Sequence, residues 1–162
     1  MENEYSIDIK TIRGISGTVA EYLVTSELLK RNYLASMTIK NMPGVDIIVT
    51  DENTDRMFGI QVKSRIDMTK VRSWTLHEKD EKRTSSHLFY IFVNLPAKKL
   101  PQPEFYIFPS REVADRITKY NIEWLKEDPN HKPNTMRTFK LKLDELKNCL
   151  NNWEKLALWT KK

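Results

Sequence analysis

The chain has 162 residues, of which 40% are hydrophobic and 10% aromatic, so it can bury a substantial core, which argues against wholesale disorder. Its formal net charge of +5 is a mild basic excess that is compatible with a polyanionic partner without being diagnostic of one. The length suits a single domain over residues 1–162, with a core over about 14–122 and a C-terminal extension over about 123–162.

Cysteine usage and hydropathy indicate where the protein works. Cys149 is the one cysteine, so an internal disulfide is excluded and nothing points to an oxidising compartment. The first ten residues are polar and acidic, unlike a signal peptide, and the longest apolar run, Leu88 to Val93, is too short to span a bilayer. We therefore expect a cytoplasmic protein with no membrane partner.

The first regular element is predicted to be a helix that follows a loosely held lead-in over residues 1–13. It begins near Ser16 to Thr18, where a hydroxyl can cap it, and continues to about Arg31. Its apolar stripe consists of Ala20, Leu23, Val24, Leu28 and Leu29. Glu21 falls at the margin of that stripe. A buried carboxylate favours a functional role, while a boundary carboxylate simply reaches water, and the pattern leaves both interpretations open.

A strand over Tyr33 to Ile39 leads into an apolar hairpin over Pro43 to Arg65, read as PGVDIIVTDENTDRMFGIQVKSR, with its turn over residues 51–55. Asp46 interrupts the first strand of the hairpin and Lys63 the second. Gln61 is two residues from Lys63, so both side chains point to the same face. We interpret this edge of the sheet as an active site.

The stretch from Lys63 to Arg83 is strongly charged, with seven basic residues against four acidic ones. It is interpreted either as a solvated loop or as a surface for backbone phosphates. A short strand is predicted around Trp74 to Leu76.

The remaining elements complete a mixed α/β arrangement. Leu88 to Asn94 is the strongest buried-strand signal, and it is predicted to form a second hairpin with Phe105 to Phe108. Ser110 is predicted to cap the next helix. Phe139 to Leu141 then forms a short edge strand, and Leu143 to Trp153 a last helix.

The hairpin residues suit phosphodiester hydrolysis. A hard cation such as Mg²⁺ neutralises charge at phosphorus, activates water and prefers oxygen ligands. Asp46 and Glu21 offer carboxylates, and Gln61 offers a carbonyl oxygen. Lys63 can stabilise the developing charge or help to position and deprotonate the water. Gln-x-Lys on a strand is a weak pattern by itself.

The ordered set of Glu21, Gly44-Val45-Asp46 and Gln61-Val62-Lys63 resembles the PD-(D/E)XK nuclease superfamily, in particular small restriction-endonuclease-like and Holliday-junction-resolvase-like members with a Gln-Val-Lys motif. The likeness covers about residues 14–108. It implies an α/β fold whose α-β-β-β-α-β core has a central mixed sheet flanked by helices, here with a C-terminal helical extension. It also implies cleavage of nucleic acid, DNA more often than RNA, with Mg²⁺ or Mn²⁺, and is compatible with a homodimer.

The resemblance assigns a role to each matching residue. Asp46 becomes the chief metal ligand, Gln61 fills the acidic position of the second motif, Glu21 supplies the helix carboxylate and Lys63 is the catalytic lysine. Two departures stand out. Gln61 removes one negative charge from the metal site, and Asp46 follows Gly44-Val45 rather than completing a Pro-Asp pair.

Other functions are also considered. The histidines have no zinc-ligand spacing, and there is no Gly-rich phosphate loop. Phosphate contacts are predicted for the basic residues near the site, namely Lys40, Arg65, Lys70 and Arg72. A non-catalytic nucleic-acid-binding module, or a defence or regulatory module, on the same scaffold is the main alternative. A protein-interaction domain that uses Trp153, Leu156 and Trp159 is a third interpretation.

Overall fold

A computed structural model describes residues 9–39, 43–50, 56–67, 71–96 and 102–157. The predicted turn over residues 51–55 therefore lies outside the described residues, as do Lys40, Lys70 and Trp159. Among the helices described, none combines the length and the apolar composition that crossing a lipid bilayer requires.

The described residues form four helices and seven strands, together with one 3₁₀ turn at Glu78–Glu81. In chain order the elements are α1 (Ile9–Leu29), β1 (Leu34–Met37), β2 (Ile47–Thr50), β3 (Met57–Asp67), β4 (Arg72–His77), β5 (Leu88–Pro96), β6 (Glu104–Pro109), α2 (Ser110–Glu127), β7 (Met136–Leu141), α3 (Leu146–Cys149) and α4 (Glu154–Ala157).

The central sheet is mixed, and its strand order is β1-β2-β3-β5-β6. β3 and β5 pair in parallel, and the other neighbours are antiparallel. Both predicted hairpins, β2–β3 and β5–β6, are confirmed, as is the α/β class with helices flanking a mixed sheet. The crossover from β3 to β5 carries β4 and the 3₁₀ turn among its described residues, where an α-β-β-β-α-β order would have an α-helix.

Helix α1 packs on one face of this sheet. Phe58, Ile60 and Val62, alternate residues of β3, join residues of the α1 stripe, including Val24 and Leu28, in one buried cluster. The helix begins at Ile9, so the predicted start near Ser16 is wrong. Glycines cost a helix only about 1 kcal/mol each, and burial of the α1 stripe outweighs that cost at Gly14 and Gly17.

The opposite face of the sheet is covered by α2 and by a second, two-stranded sheet of β4 and β7. Phe139 of β7 stacks on Phe92 of β5 with ring centroids 4.1 Å apart and planes at 4°. The indole N–H of Trp74 on β4 donates to the carbonyl oxygen of Val93 at 3.1 Å. The strands predicted around Trp74 and Phe139 are thus confirmed, and the predicted extension completes the core.

The predicted helix cap at Ser110 is wrong. Pro109 occupies the N-cap position, and Ser110 is the first residue of α2 and fully buried. Its hydroxyl donates to the carbonyl oxygen of Ser85 and accepts from the Ser85 N–H, both at 2.9 Å. The hydroxyl is used in a long-range contact that local sequence does not reveal.

The single last helix predicted over Leu143 to Trp153 is also wrong. Leu150 is extended and forms a bridge with Tyr106, while Asn151 has a φ of 52° and donates its N–H to the Phe105 carbonyl at 2.7 Å. The chain therefore turns between the short helices α3 and α4, where pairing with β6 outweighs helix continuation.

The interaction surface predicted at Trp153 and Leu156 is contradicted as well. Both side chains are buried in the α1-side cluster. Trp153 packs against Phe105 and lies under the guanidinium of Arg31, whose Cζ is 4.5 Å from the ring centroid. These residues close the core of the chain itself.

Candidate active site

The entry into β2 places Asp46 beside β3. Ile47 is the register partner of Ile60, yet the N–H of Asp46 also donates to the Ile60 carbonyl at 2.8 Å. Two consecutive residues of one strand thus share one partner, which is the arrangement of a β-bulge. Bulges redirect side chains, and here the Asp46 side chain faces the next residues of β3.

One carboxylate oxygen of Asp46 accepts two hydrogen bonds from β3. Oδ2 accepts from the backbone N–H of Val62 at 2.7 Å and from the side-chain Nε2 of Gln61. Gln61 is only 7% exposed, so its amide is held in the interior rather than in solvent. Asp46 and Gln61, singled out in the sequence, are therefore brought together in the structure.

The electrostatic environment of Asp46 combines opposing influences. Burial is the largest, and it raises the pKa of the carboxyl group above its ordinary value. The Val62 N–H, the charge of Lys63, the Gln61 amide and the charge of Arg83 each lower the pKa, without cancelling the effect of burial. Additional positive charge near Asp46 would therefore stabilise its ionised form.

Lys63 belongs to the same face of the sheet as Gln61. The register partners of Gln61 and Lys63 on β5 are Tyr90 and Phe92, which both belong to the cluster on the face opposite α1. Lys63 is half-buried, and its charge acts on Asp46. Strand alternation thus places Gln61 and Lys63 on one face of β3, where Gln61 contacts Asp46. The roles of the three residues stay predictions.

The cluster lies where β3 extends past β2. Ladder pairing between the two strands ends at Ile60, and within the described part of the chain the sheet partner of Gln61 to Asp67 is β5 alone. The Val62 N–H that β2 leaves unpaired is bonded by Asp46 instead. Since N–H and C=O of a strand residue point to the same side, the Val62 carbonyl also faces this open edge.

These donors fit a hard divalent cation. Such ions take carboxylate and carbonyl oxygens, and the open edge offers the Asp46 carboxylate, the Val62 carbonyl and, after rotation of its amide, the Gln61 carbonyl oxygen. The described residues contain no cluster of three or more His, Cys, Asp or Glu side chains of the kind that holds a metal. A site here would rely on one carboxylate and neutral oxygens, with Glu21 as a further contributor.

Glu21 is half-buried on α1, which packs on the face opposite Gln61 and Lys63. Its backbone carbonyl accepts a hydrogen bond from the Thr25 hydroxyl at 2.8 Å. The placement of the Glu21 carboxylate at the Asp46 cluster stays a prediction.

The predicted phosphate-binding residues have different surroundings. Arg72 is only 12% exposed and makes two hydrogen bonds to the Glu104 carboxylate, at 2.6 and 3.0 Å, so it serves an internal ion pair rather than a free surface. Arg65 is half-buried and donates to the Val71 carbonyl. Arg65 remains a predicted phosphate contact, and Arg72 does not fit that role.

One charged residue near the site was not singled out from the sequence. The guanidinium of Arg83 lies against the backbone of Gly44, close enough that a Cβ on Gly44 would overlap it, and its charge acts on Asp46. Arg83 follows a polar segment with no helical or strand periodicity, so only its position in space marks it out.

No model of a protein family matches the sequence, and no curated protein matches it. Solved structures do match the fold. The bacterial homing endonuclease I-Ssp6803I aligns with a TM-score of 0.54 at 13% identity, over 90% of this chain and 91% of that chain. Archaeoglobus fulgidus Hjc, a Holliday junction resolvase from an archaeal hyperthermophile, aligns with a TM-score of 0.50 at 14% identity, over 87% and 94%. The chain therefore has the restriction-endonuclease-like fold of these nucleases, as the resemblance in its motifs implied.

Proposed function

We propose that the protein is a metal-dependent endonuclease that hydrolyses phosphodiester bonds of nucleic acid, with DNA as its substrate. The observation that carries the proposal is the convergence of Asp46, Gln61 and Lys63 at the open edge of β3. The likeness in fold to two nucleases supports it.

In this proposal Asp46, Gln61 and Glu21 hold Mg²⁺, for which Mn²⁺ can substitute, and the Val62 carbonyl is a fourth oxygen donor. When bound, the ion supplies charge neutralisation at phosphorus and lowers the pKa of water. The Val62 N–H keeps the Asp46 carboxylate in position at 2.7 Å. Lys63 orients the attacking water and stabilises the negative charge that develops on the phosphate.

The Gln61 amide can serve Asp46 in two ways. Its Nε2 donates to Asp46 and partly compensates the buried carboxylate. With the amide rotated, its carbonyl oxygen would be available as a neutral ligand for a cation that Asp46 also holds. Gln61 is therefore a neutral ligand whose hydrogen bond to Asp46 competes with metal binding.

The polyanionic substrate agrees with the net charge of +5 and with Arg65 near the end of β3. A homodimer, which would bring two such sites to the two strands of a duplex, is part of the proposal.

A cleavage panel tests the proposal. Supercoiled plasmid and labelled duplex are incubated with Mg²⁺ and either wild type, Asp46→Asn or Lys63→Met. Each variant should lose at least about a hundredfold in rate, as removal of one charge-stabilising group does elsewhere. Asp144→Asn and Lys147→Met change exposed residues of the same types and should cleave like wild type. Unchanged cleavage by Asp46→Asn would refute the site.

A non-catalytic nucleic-acid-binding module is the second candidate, and the Gln61 to Asp46 hydrogen bond favours it, because it satisfies the carboxylate without a metal. This module would bind duplex with strong salt dependence and equally well in EDTA and in Mg²⁺. Calorimetric Mg²⁺ binding that is lost in Asp46→Asn would exclude it.

A further inference from the structure

A buried carboxylate lies behind the candidate site. Asp80, in the 3₁₀ turn, is 2% exposed. It accepts hydrogen bonds from the backbone N–H of His77 and from the hydroxyl of Tyr90, both at 2.9 Å. Carboxylates are almost never buried without partners and a reason, because leaving water costs them several kcal/mol unless opposite charge compensates.

The compensating charge is Arg83. Its Nη1 lies 3.4 Å from Oδ1 of Asp80, and its side chain is 25% exposed. Tyr90 belongs to the same group, since it lies beside Gln61 in the sheet register and its hydroxyl bonds the Asp80 oxygen that faces Arg83. Arg83 is thus held from behind by a buried pair that is anchored in the central strand β5.

The same guanidinium lies against the backbone of Gly44, in the segment that leads into β2. Gly44 is two residues before Asp46, and the guanidinium of Arg83 occupies the space that a Cβ at residue 44 would fill. Gly44 has a φ of +81°, a conformation that glycine adopts without strain. The absence of a side chain at residue 44 therefore lets a fixed cation approach the bulge that carries Asp46.

We propose that Arg83 is a preorganised phosphate-binding residue of this site, held by Asp80 and Tyr90 so that its guanidinium receives the phosphodiester next to Asp46. The inference rests on the proposed function and names a substrate contact that the motifs do not contain.

The chemistry suits this role. A guanidinium has five N–H donors in a planar fork; one of them contacts Asp80, and the Tyr90 hydroxyl is a further hydrogen-bond partner. The remaining donors match the paired oxygens of a phosphate, with charge-assisted bonds that are stronger than neutral ones. Lys63 and Arg83 both place positive charge near Asp46, whose pKa each of them lowers.

The experiment compares Arg83→Gln with Arg31→Gln. Arg31 also pairs with a carboxylate a few residues earlier in the chain, Glu27 at 2.6 Å, but it lies just beyond the end of α1 and over Trp153, on the opposite face. Arg83→Lys is the second variant, because it keeps the charge near Asp80 and loses the fork. Binding of a labelled DNA duplex in EDTA is measured over a range of salt concentrations, and single-turnover cleavage is measured in Mg²⁺.

If the inference is right, Arg83→Gln binds the duplex about tenfold more weakly. The plot of log K against log salt also becomes less steep, its slope smaller in magnitude by about 0.9, the value for one phosphate contact. Arg83→Lys should keep the slope and lose affinity, and Arg31→Gln should match wild type in both. An Arg83→Gln variant that binds and cleaves like wild type, beside an inactive Asp46→Asn, would overturn this inference alone.

Two further outcomes separate the inference from the proposed function. A wild type that binds duplex with the Arg83-dependent slope but does not cleave it would support the phosphate contact and overturn the endonuclease. A wild type that neither binds nor cleaves duplex would overturn both.

Discussion

The carboxylate of Asp46 accepts a hydrogen bond from the backbone N–H of Val62 at 2.7 Å, at the point where β2 stops pairing with β3. A side chain thus takes the place of a ladder bond, and the same contact satisfies a buried N–H and orients an acid. The candidate site depends on the end of the β2–β3 ladder, because the bulge at that point also positions the Asp46 carboxylate.

Stability should depend on pH through Asp46. Burial raises its folded pKa above the unfolded value, so the native chain binds more protons between the two values and loses stability as pH rises through that window. The loss is absent below the unfolded pKa and complete above the folded one. Asp46→Asn lacks this titration, so it should gain stability relative to wild type on going from acid to neutral pH.

Urea unfolding in EDTA across that pH range measures the difference between Asp46→Asn and wild type. Asp144→Asn, at an exposed position, serves as the control and should keep a constant difference from wild type. A stability of Asp46→Asn relative to wild type that is independent of pH, or that falls toward neutral pH, would contradict the raised pKa.

Gln61→Glu should tighten Mg²⁺ binding at least about tenfold, because a unit charge about 4 Å away contributes roughly 1 kcal/mol even in water and the ion carries two. In EDTA the same variant should unfold at a lower temperature, because two carboxylates then face each other without the Nε2 donor. Calorimetric titration and thermal unfolding with and without Mg²⁺ test both effects. Gln102→Glu, at an exposed glutamine, is the matched control, and equal Mg²⁺ affinity in the two variants would argue against Gln61 as a ligand.

Gly44→Ala should destabilise the protein by about 1–2 kcal/mol, the cost of a left-handed backbone for a residue with a Cβ. It should also weaken duplex binding, because the new methyl group displaces the Arg83 guanidinium. Gly14→Ala, inside α1 with open space around it, should instead stabilise by roughly 0.5–1 kcal/mol. Both variants are compared with wild type by denaturant unfolding and by duplex titration. Equal effects of the two substitutions on stability and on binding would refute the close contact between Arg83 and Gly44.

Phe139→Ala tests whether the predicted C-terminal extension is part of one folding unit. Phe139 is fully buried and stacks on Phe92 of the central sheet, so its truncation should cost about 3–5 kcal/mol. Met136→Ala on the same strand changes a side chain that is 61% exposed and should stay within about 0.5 kcal/mol. A small effect of Phe139→Ala, or two separate unfolding transitions, would make the extension an independent unit.

The sequence by itself indicated the strands of the core and brought out Asp46, Gln61 and Lys63 as candidate site residues, whose roles stay predictions. A period of two is a local property, so the apolar alternation around Asp46 and Lys63 predicts both the strands and the faces on which Gln61 and Lys63 lie. The order of these motifs was enough to indicate the fold that the solved structures share.

Only the tertiary structure decided the long-range pairings. Joining β4 to β7 brings Trp74 opposite Phe139, and no periodicity within either strand predicts that partner. The same holds near the end of the chain, where Leu150 pairs with Tyr106 and a helix predicted to continue to Trp153 ends at Cys149. Arg83 reaches the site because Asp80 and Tyr90 hold it there, and their contacts depend on how the crossover packs against the sheet rather than on neighbouring residues.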